Sequence, residues 1–234
     1  MAGVGYNCDM EMIVVLDNIR SCYNVGAILR TCEGFGVSKV MLSGYTPRVH
    51  DASLLPHMRE KLDREIHKTA LGAEDMLDVY SCGDIFSELS ALKKQGWQIV
   101  GLENNISSDK LVSLGDKRCV ELLSDKVVLV LGEEVHGINN SLHDIIDLFV
   151  EIPMRGEKES FNVSVATGVV LYALSNYSKQ KTAYEIQWCD WSSDVCSSDL
   201  LVNAFFSGTE MAVISLNDAK MHKQIGRASC RERV

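Results

Sequence analysis

From about Glu11 to Lys179, apolar runs of strand length alternate with stretches of helical spacing. Met12–Leu16 is a continuous apolar run closed by Asp17-Asn18, which suits a strand buried on both faces. Between Asn24 and Phe35, the apolar positions Val25, Ile28, Leu29, Cys32 and Phe35 recur at helical spacing, and Gly34 and Gly36 end the pattern. Lys39–Ser43 predicts the next strand, with Gly44 and Pro47 as turn residues after it. The segment His50–Gly72 is mixed and charged and reads as loop and helix. Asp84–Gln95 predicts a helix with Ile85, Leu89 and Leu92 on one face. Gln98–Leu102, Val127–Leu131 and Leu148–Ile152 predict further strands, the last ended by Pro153, and Asn162–Asn176 predicts a long apolar helix. Strands separated by helix-length patterns predict an α/β fold with a mostly parallel sheet flanked by helices. Residues 11–181 are the expected domain, preceded by a short segment, residues 1–10.

The texture changes after Thr182. Trp188–Leu200 carries a near-repeat of Ser-Ser-Asp followed by an aliphatic residue and shows neither helical nor strand periodicity. An apolar stretch, Leu200–Leu216, and a basic end, Gly226–Val234, follow. Composition narrows the class. With 46% apolar residues in 234, 17 Gly and only 3 Pro, the chain is neither disordered nor fibrous. Its formal charge of −9 excludes a broad basic surface for nucleic acid and leaves room only for a local basic cluster. Seven acidic and five basic residues lie beyond Ala183, so the part up to Ala183 carries 25 acidic against 18 basic residues, a charge of −7. No run approaches the ~20 apolar residues of a membrane helix. The opening Met1–Asn7 lacks the features of a signal peptide, so a cytoplasmic protein with no membrane partner is expected. Cys8, Cys22, Cys32, Cys82 and Cys119 form no C-x-x-C pair and read as reduced, buried thiols.

Three polar segments follow predicted strands, where ligands bind in open α/β sheets. The first is Asp17–Arg30, in which polar residues crowd a strand-to-helix turn. A guanidinium at Arg30 could fork onto a phosphate, but an N-cap asparagine at Asn24 and a solvated arginine account for the same residues. The second is Leu131–Asn139, which places Glu133 and Glu134 directly after an apolar strand, between glycines that permit close backbone approach. A surface acidic turn is the alternative. His136 has no second ligand at suitable spacing, so no metal site is expected. The third is Ile152–Ala166, a charged loop leading into an apolar helix with Ser160 or Asn162 as the cap. Amide donors at that helix start suit an anion or polar ligand, and a plain capped helix explains them equally. No G-x-G-x-x-G follows a strand, and neither a phosphate loop nor a nucleophile elbow is present.

Taken together and in this order, the segments resemble the three signature motifs of the SpoU/TrmH family of RNA 2′-O-ribose methyltransferases, within the SPOUT superfamily. Asn24–Thr31 resembles the first motif, Leu131–Glu134 through Gly137-Ile138 the second, and Ile152–Met154 through Ser160–Ser164 the third. Lys68–Glu74 is similar to a run common in compact members, and the likeness spans about residues 11–178. The resemblance implies a SPOUT-type sheet whose C-terminal part is tied into a deep trefoil knot, an S-adenosylmethionine site in that knot, and a homodimer with active sites where subunits meet. It implies that Gly132, Ile152, Met154 and Phe161 hold the methyl donor, with Ile152 and Met154 near the adenine, and that Leu131, Asn162 and Val163 complete the set. Arg30 corresponds to the arginine that activates the ribose 2′-hydroxyl, and Asn24, Glu134, Ser160 and Asn162 match the other polar active-site positions. An arginine, normally protonated below a pKa of about 12, is better suited to stabilising a developing alkoxide than to acting as a base.

The expected reaction is therefore methylation of a ribose 2′-hydroxyl in tRNA or rRNA. A noncatalytic RNA-binding protein of the same knotted fold is one alternative, and an α/β enzyme for a small phosphorylated metabolite is another. Two positions depart from the family pattern. Phe161 replaces the usual leucine, and Glu133 stands where asparagine, serine or alanine is common, adding a negative charge expected to disfavour RNA phosphate. No RNA-binding segment precedes residues 11–181, so recognition is expected from that domain and its dimer. Cys189–Leu200 and Gly226–Val234 resemble translated sequencing-adapter DNA, and Ala204–Asn217 is similar to the start of a membrane transporter family with a DUF21/CNNM-type domain. Residues 182–234 are therefore expected to be a chimeric or disordered extension without a native role.

Overall fold

The computed structural model describes residues 10–104 and 106–192. Seven strands, β1 (Glu11–Asp17), β2 (Lys39–Ser43), β3 (Asp78–Ser81), β4 (Gln98–Leu102), β5 (Leu111–Ser113), β6 (Lys126–Leu131) and β7 (Leu148–Glu151), build one sheet in the order β3-β2-β1-β6-β4-β7-β5. Every pairing in it is parallel. The helices are α1 (Cys22–Gly34), α2 (Pro56–Ala70), α3 (Ile85–Lys94), α4 (Lys117–Leu122) and α5 (Val163–Ser192).

Side-chain alternation along the strands divides the core into two layers. Met12, Val14 and Leu16 of β1, with Val40, Leu42, Val100, Leu129 and Val150, pack against α1, α2, α4 and α5 through Ile28, Leu29, Ile66, Cys119, Val170 and Leu174. Ile13, Val15, Met41, Ile99, Val128, Val130 and Phe149 face the other way, onto Leu89 of α3, Trp97 and the segment Ile138–Ile146. Both faces of the sheet are covered, so the central strands are apolar at nearly every position, as the unbroken runs at Met12–Leu16 and Val127–Leu131 foretold.

Strand order decides where a ligand can sit. From β1 the chain winds outward to β2 and β3, whereas β6 lies on the opposite side of β1, with Leu16 beside Leu131 in register. The crevice at the carboxyl ends of β1 and β6 is thus a topological switch point. Beyond β6 the strands interleave, because β4 lies between β6 and β7. The turn after β4 is tied to the segment after β7. Asn104 Nδ2 donates to the carbonyls of Ile152 and Glu159, both at 3.1 Å, and its Oδ1 accepts from Ile152 N at 3.1 Å.

Most predicted elements stand within two residues of their observed ends. Helix α1 begins two residues before Asn24, and its cap is Ser21, whose Oγ accepts from Asn24 N at 3.3 Å. Asn24 is therefore inside the first turn, its side chain free for other partners, and Arg30 falls on the third turn. Three elements were not predicted: the edge strands β3 and β5 and the short helix α4. Helix α5 continues past Asn176 to Ser192, and side chains are described only as far as Tyr177. The polypeptide divides into two units, Met1–Ala183 and Tyr184–Val234. The segment 1–9, Cys8 included, and the adapter-like and transporter-like stretches from Ser193 onward lie outside the described residues. Among the described residues no helix is long and apolar enough to cross a membrane, and no His/Cys/Asp/Glu group could hold a metal ion.

Candidate active site at the carboxyl ends of the strands

A cleft of about 370 Å³ opens above β4, β6 and β7. Its apolar wall comes from Leu102, Leu131, Ile152, Phe161, Val163 and Ala166. Four carboxylates, Glu103, Glu133, Glu134 and Glu159, also line it. Among the described residues no lysine or arginine lines it, so the cleft suits a cationic ligand with an apolar body rather than a phosphate.

Glycine shapes the floor. Immediately after β6 the chain turns back, with Glu133 N donating to Gly137 O at 3.0 Å and Gly137 N to Glu133 O at 2.9 Å. A Cβ on Gly132 would lie 2.2 Å from the carbonyl carbon of Gly137, so two backbone segments touch where no side chain fits. Gly137 has φ +69°, a left-handed conformation that glycine adopts without strain. Glu103 Oε2 holds the far side of this turn by accepting from Ile138 N at 2.8 Å. The floor is thus made of backbone, fixed from two directions.

At the cleft's mouth one run of hydrogen bonds connects all three polar segments. Asn162 caps α5, its Oδ1 accepting from Ser164 N at 2.9 Å and from Ser164 Oγ at 2.6 Å. Its amide donates to Asn24 Oδ1 at 3.2 Å, and Asn24 donates in turn to Glu134 Oε1 at 3.1 Å. Arg20 closes the run, its backbone N–H 3.4 Å from Glu134 Oε2 and its guanidinium paired with Glu133. Below this run Asp17 is buried, with its carboxyl pushed above the usual range by burial, against which hydrogen bonds from Ser43 and Asn18 pull it down.

The structure places the expected site residues unevenly. Leu131, Gly132, Ile152, Phe161, Asn162 and Val163 line the cleft, as do Glu134 and Ser160. Asn24 is outside the lining but joined to it through Glu134 and Asn162. Met154 is half-buried and not among the lining residues, because the chain leaves the cleft after Ile152 and returns only at Glu159. Arg30 is exposed on α1 and is not among the residues that line the cleft. Its neighbour Thr31 lies against α5, 3.8 Å from where a Cβ on Gly168 would be. Glu133, the position expected to add a negative charge, is paired with the Arg20 guanidinium. Sequence reasoning missed Glu103, Asn104 and Arg20 as site residues. Single polar residues in loops carry no periodic signal, and only the fold brings them to the cleft.

Residues 11–172 match the SpoU rRNA Methylase family, and the chain belongs to that family. The chain is similar to the 23S rRNA (guanosine-2′-O-)-methyltransferase RlmB of Xylella fastidiosa, at 35% identity over 161 residues covering 69% of this chain and 57% of that protein. The chain thus spans little more than half the length of that curated relative. Among solved structures, the A. aeolicus TrmH/SpoU tRNA modifying enzyme aligns with a TM-score of 0.58 at 26% identity, covering 76% of this chain and 82% of that one. The AdoMet-bound rRNA methyltransferase from Sinorhizobium meliloti shares the fold at a TM-score of 0.58 and 22% identity, covering 72% of this chain and 57% of that one.

Proposed function

We propose that this protein transfers a methyl group from S-adenosylmethionine to a ribose 2′-hydroxyl of rRNA or tRNA. The observation that carries the reading is the hydrogen-bonded run from Ser164 through Asn162 and Asn24 to Glu134, which brings all three family motifs to the mouth of one acidic cleft. S-adenosylmethionine suits the residues present. Leu131, Ile152, Phe161 and Val163 offer an apolar wall for an adenine, the glycine floor offers backbone groups, and the carboxylates complement the charges of a sulfonium and an ammonium. When bound, it supplies an electrophilic methyl group. The likeness to RlmB and to the AdoMet-bound Sinorhizobium structure supports the same cofactor.

The 2′-hydroxyl is a weak nucleophile that must lose its proton during attack. Arg30, as a fixed cation, stabilises the alkoxide that develops and, with an RNA phosphate, orients the ribose. Asn24, Glu134 and Asn162 align the reacting groups through the hydrogen bonds described above, and Ser160 adds a hydroxyl to the cleft lining. Arg30 is exposed and does not line its own cleft, and this supports a homodimer in which it serves the partner's cleft. The exposed apolar stripe Val165, Val169 and Tyr172 on α5, with Phe161 just before it, is a matching interface. The interleaving of β4, β6 and β7 and the Asn104 ties support a trefoil knot that holds the cleft rigid. Residues 11–181 are the catalytic unit in a cytoplasmic enzyme, and residues 182–234 are a chimeric addition. Re-amplification of the locus from source DNA without those codons is the expected outcome.

Incubation of the protein with methyl-labelled S-adenosylmethionine and total RNA tests the activity. Label is expected in RNA, and Arg30→Ala is expected to reduce its incorporation at least ~100-fold, the scale of losing one group that stabilises developing charge. Undiminished transfer by Arg30→Ala would remove the assigned role. Cofactor binding without any transfer would favour the noncatalytic RNA-binding reading.

A further inference from the structure

The cleft is acidic and so is the chain, so an RNA substrate needs a cationic and aromatic surface elsewhere. Two exposed tyrosines beside the site supply one. Tyr45, just after β2, is 52% exposed, and the Arg20 guanidinium lies 5.8 Å from its ring centre with Nε 3.4 Å from its hydroxyl. Tyr23, in the first turn of α1, is 49% exposed, and Lys68 Nζ of α2 lies 5.7 Å from its ring centre and 3.5 Å from its hydroxyl. Arg20 and Tyr23 are three residues apart in the loop and turn that also present Asn24 to the cleft. Each tyrosine therefore has a cation over its ring and about half of its surface open to solvent.

We propose that Tyr23 and Tyr45, with Lys68 and Arg20, form the platform on which single-stranded RNA flanking the target nucleotide is held; this rests on the methyltransferase reading above. Nucleobases of any identity stack on an open aromatic face, and backbone phosphates meet the cations at its edge. Arg20 has two anchors, Glu133 and the Tyr45 hydroxyl, and its Nη1 has no hydrogen-bond partner among the described residues. Its fork is thus held in place with donors left for a phosphate. Glu133 is accordingly a positioning residue for Arg20 rather than a group that repels RNA. Tyr23 is held similarly, its backbone carbonyl accepting from Thr69 Oγ1 at 3.0 Å. Both rings therefore stand on fixed backbone at the rim.

The test is the affinity of the full chain for a fluorescein-labelled 12-nucleotide RNA of mixed sequence, read by anisotropy across a salt series. Tyr23→Ala and Tyr45→Ala are each expected to weaken binding about tenfold, and Tyr23→Phe and Tyr45→Phe to keep it within about twofold, because stacking needs the ring and not the hydroxyl. Arg20→Gln and Lys68→Gln, which leave the rings in place, are expected to lower the slope of log affinity against log salt by roughly 0.7 each. Calorimetric affinity for S-adenosylmethionine is expected to stay unchanged in the four tyrosine variants and in Lys68→Gln. A wild-type chain that binds and methylates RNA alongside alanine and glutamine variants of equal RNA affinity and salt slope would overturn the platform alone. A wild-type chain that binds S-adenosylmethionine but no RNA would overturn the methyltransferase reading, and the platform with it.

Discussion

Gly132→Ala removes nothing and adds one methyl group where the structure has no room for it. The new Cβ would stand 2.2 Å from Gly137 C, 2.3 Å from Ile138 N and 2.4 Å from Gly137 O. Carbon atoms in ordinary contact are about 3.5 Å apart, so the two backbone segments must separate by about an ångström. Neither has freedom to do so. Glu133 and Gly137 exchange two backbone hydrogen bonds, and Glu103 pins Ile138 from the other side. Overpacking a site of this kind costs about 1–3 kcal/mol, and loss of one backbone hydrogen bond adds about 1 kcal/mol. Together these predict a fall in melting temperature of roughly 4–16 °C for a chain of this size. Because the displaced segment is the cleft floor, calorimetric affinity for S-adenosylmethionine is expected to drop at least ~10-fold, equivalent to about 1.4 kcal/mol. Gly34→Ala is the control. A Cβ there meets nothing within 4 Å and its φ is not positive, so the variant is expected to melt at or slightly above the wild-type temperature. If Gly132→Ala matched wild type in both melting and cofactor affinity, the backbone floor described for this cleft would be wrong.

The remaining predictions concern titration and the core. Burial raises the Asp17 carboxyl in the folded state, so the folded protein holds this proton more tightly than the unfolded chain and Asp17 costs stability as pH rises above about 4. Asp17→Asn keeps an oxygen for Ser43 and Asn18 and removes the charge; its melting temperature is expected to exceed wild type at pH 8, with the gain vanishing at pH 4, as thermal scans at both pH values would report. Burial pushes the Cys32 thiol up to about 12 and the Cys119 thiol up to about 11, whereas Cys22 is only half-buried. A thiol of pKa 12 is ionised to about one part in ten thousand at pH 8. Peptide mapping after brief alkylation is therefore expected to find Cys22 labelled well before Cys32 and Cys119, and rapid native-state labelling of Cys32 would contradict its place under α1.

What the sequence disclosed and what it hid divide along physical lines. β1 and β6 are buried on both faces, and that demands unbroken apolar runs, so Met12–Leu16 and Val127–Leu131 were legible without any structure. β3 and β5 are short edge strands with only one paired neighbour each. Asp78–Ser81 contains no fully buried residue and Leu111–Ser113 contains one, so neither had a pattern to read. Ser21 took the cap expected of Asn24 because capping depends on where the turn begins, which depends on how β1 ends at Asp17-Asn18, with Asn18 at φ +59°. That shift frees the Asn24 side chain to join Glu134 and Asn162. At the site, the motif residues were legible as a set, and their joining across 138 positions of chain was not. Glu133 shows the limit best. As a sequence position it was an unexplained charge; in the fold it anchors Arg20.

The most direct test of the central claim is the chemical identity of the methylated product. RNA incubated with the protein and methyl-labelled S-adenosylmethionine would be digested to nucleosides and separated by chromatography coupled to mass spectrometry. The account predicts that the label is found in one 2′-O-methylated nucleoside, in an alkali-resistant dinucleotide before complete digestion, and that Asn24→Ala and Arg30→Ala greatly reduce it. Label on a base, or no label in any RNA from a protein that binds the cofactor, would contradict it.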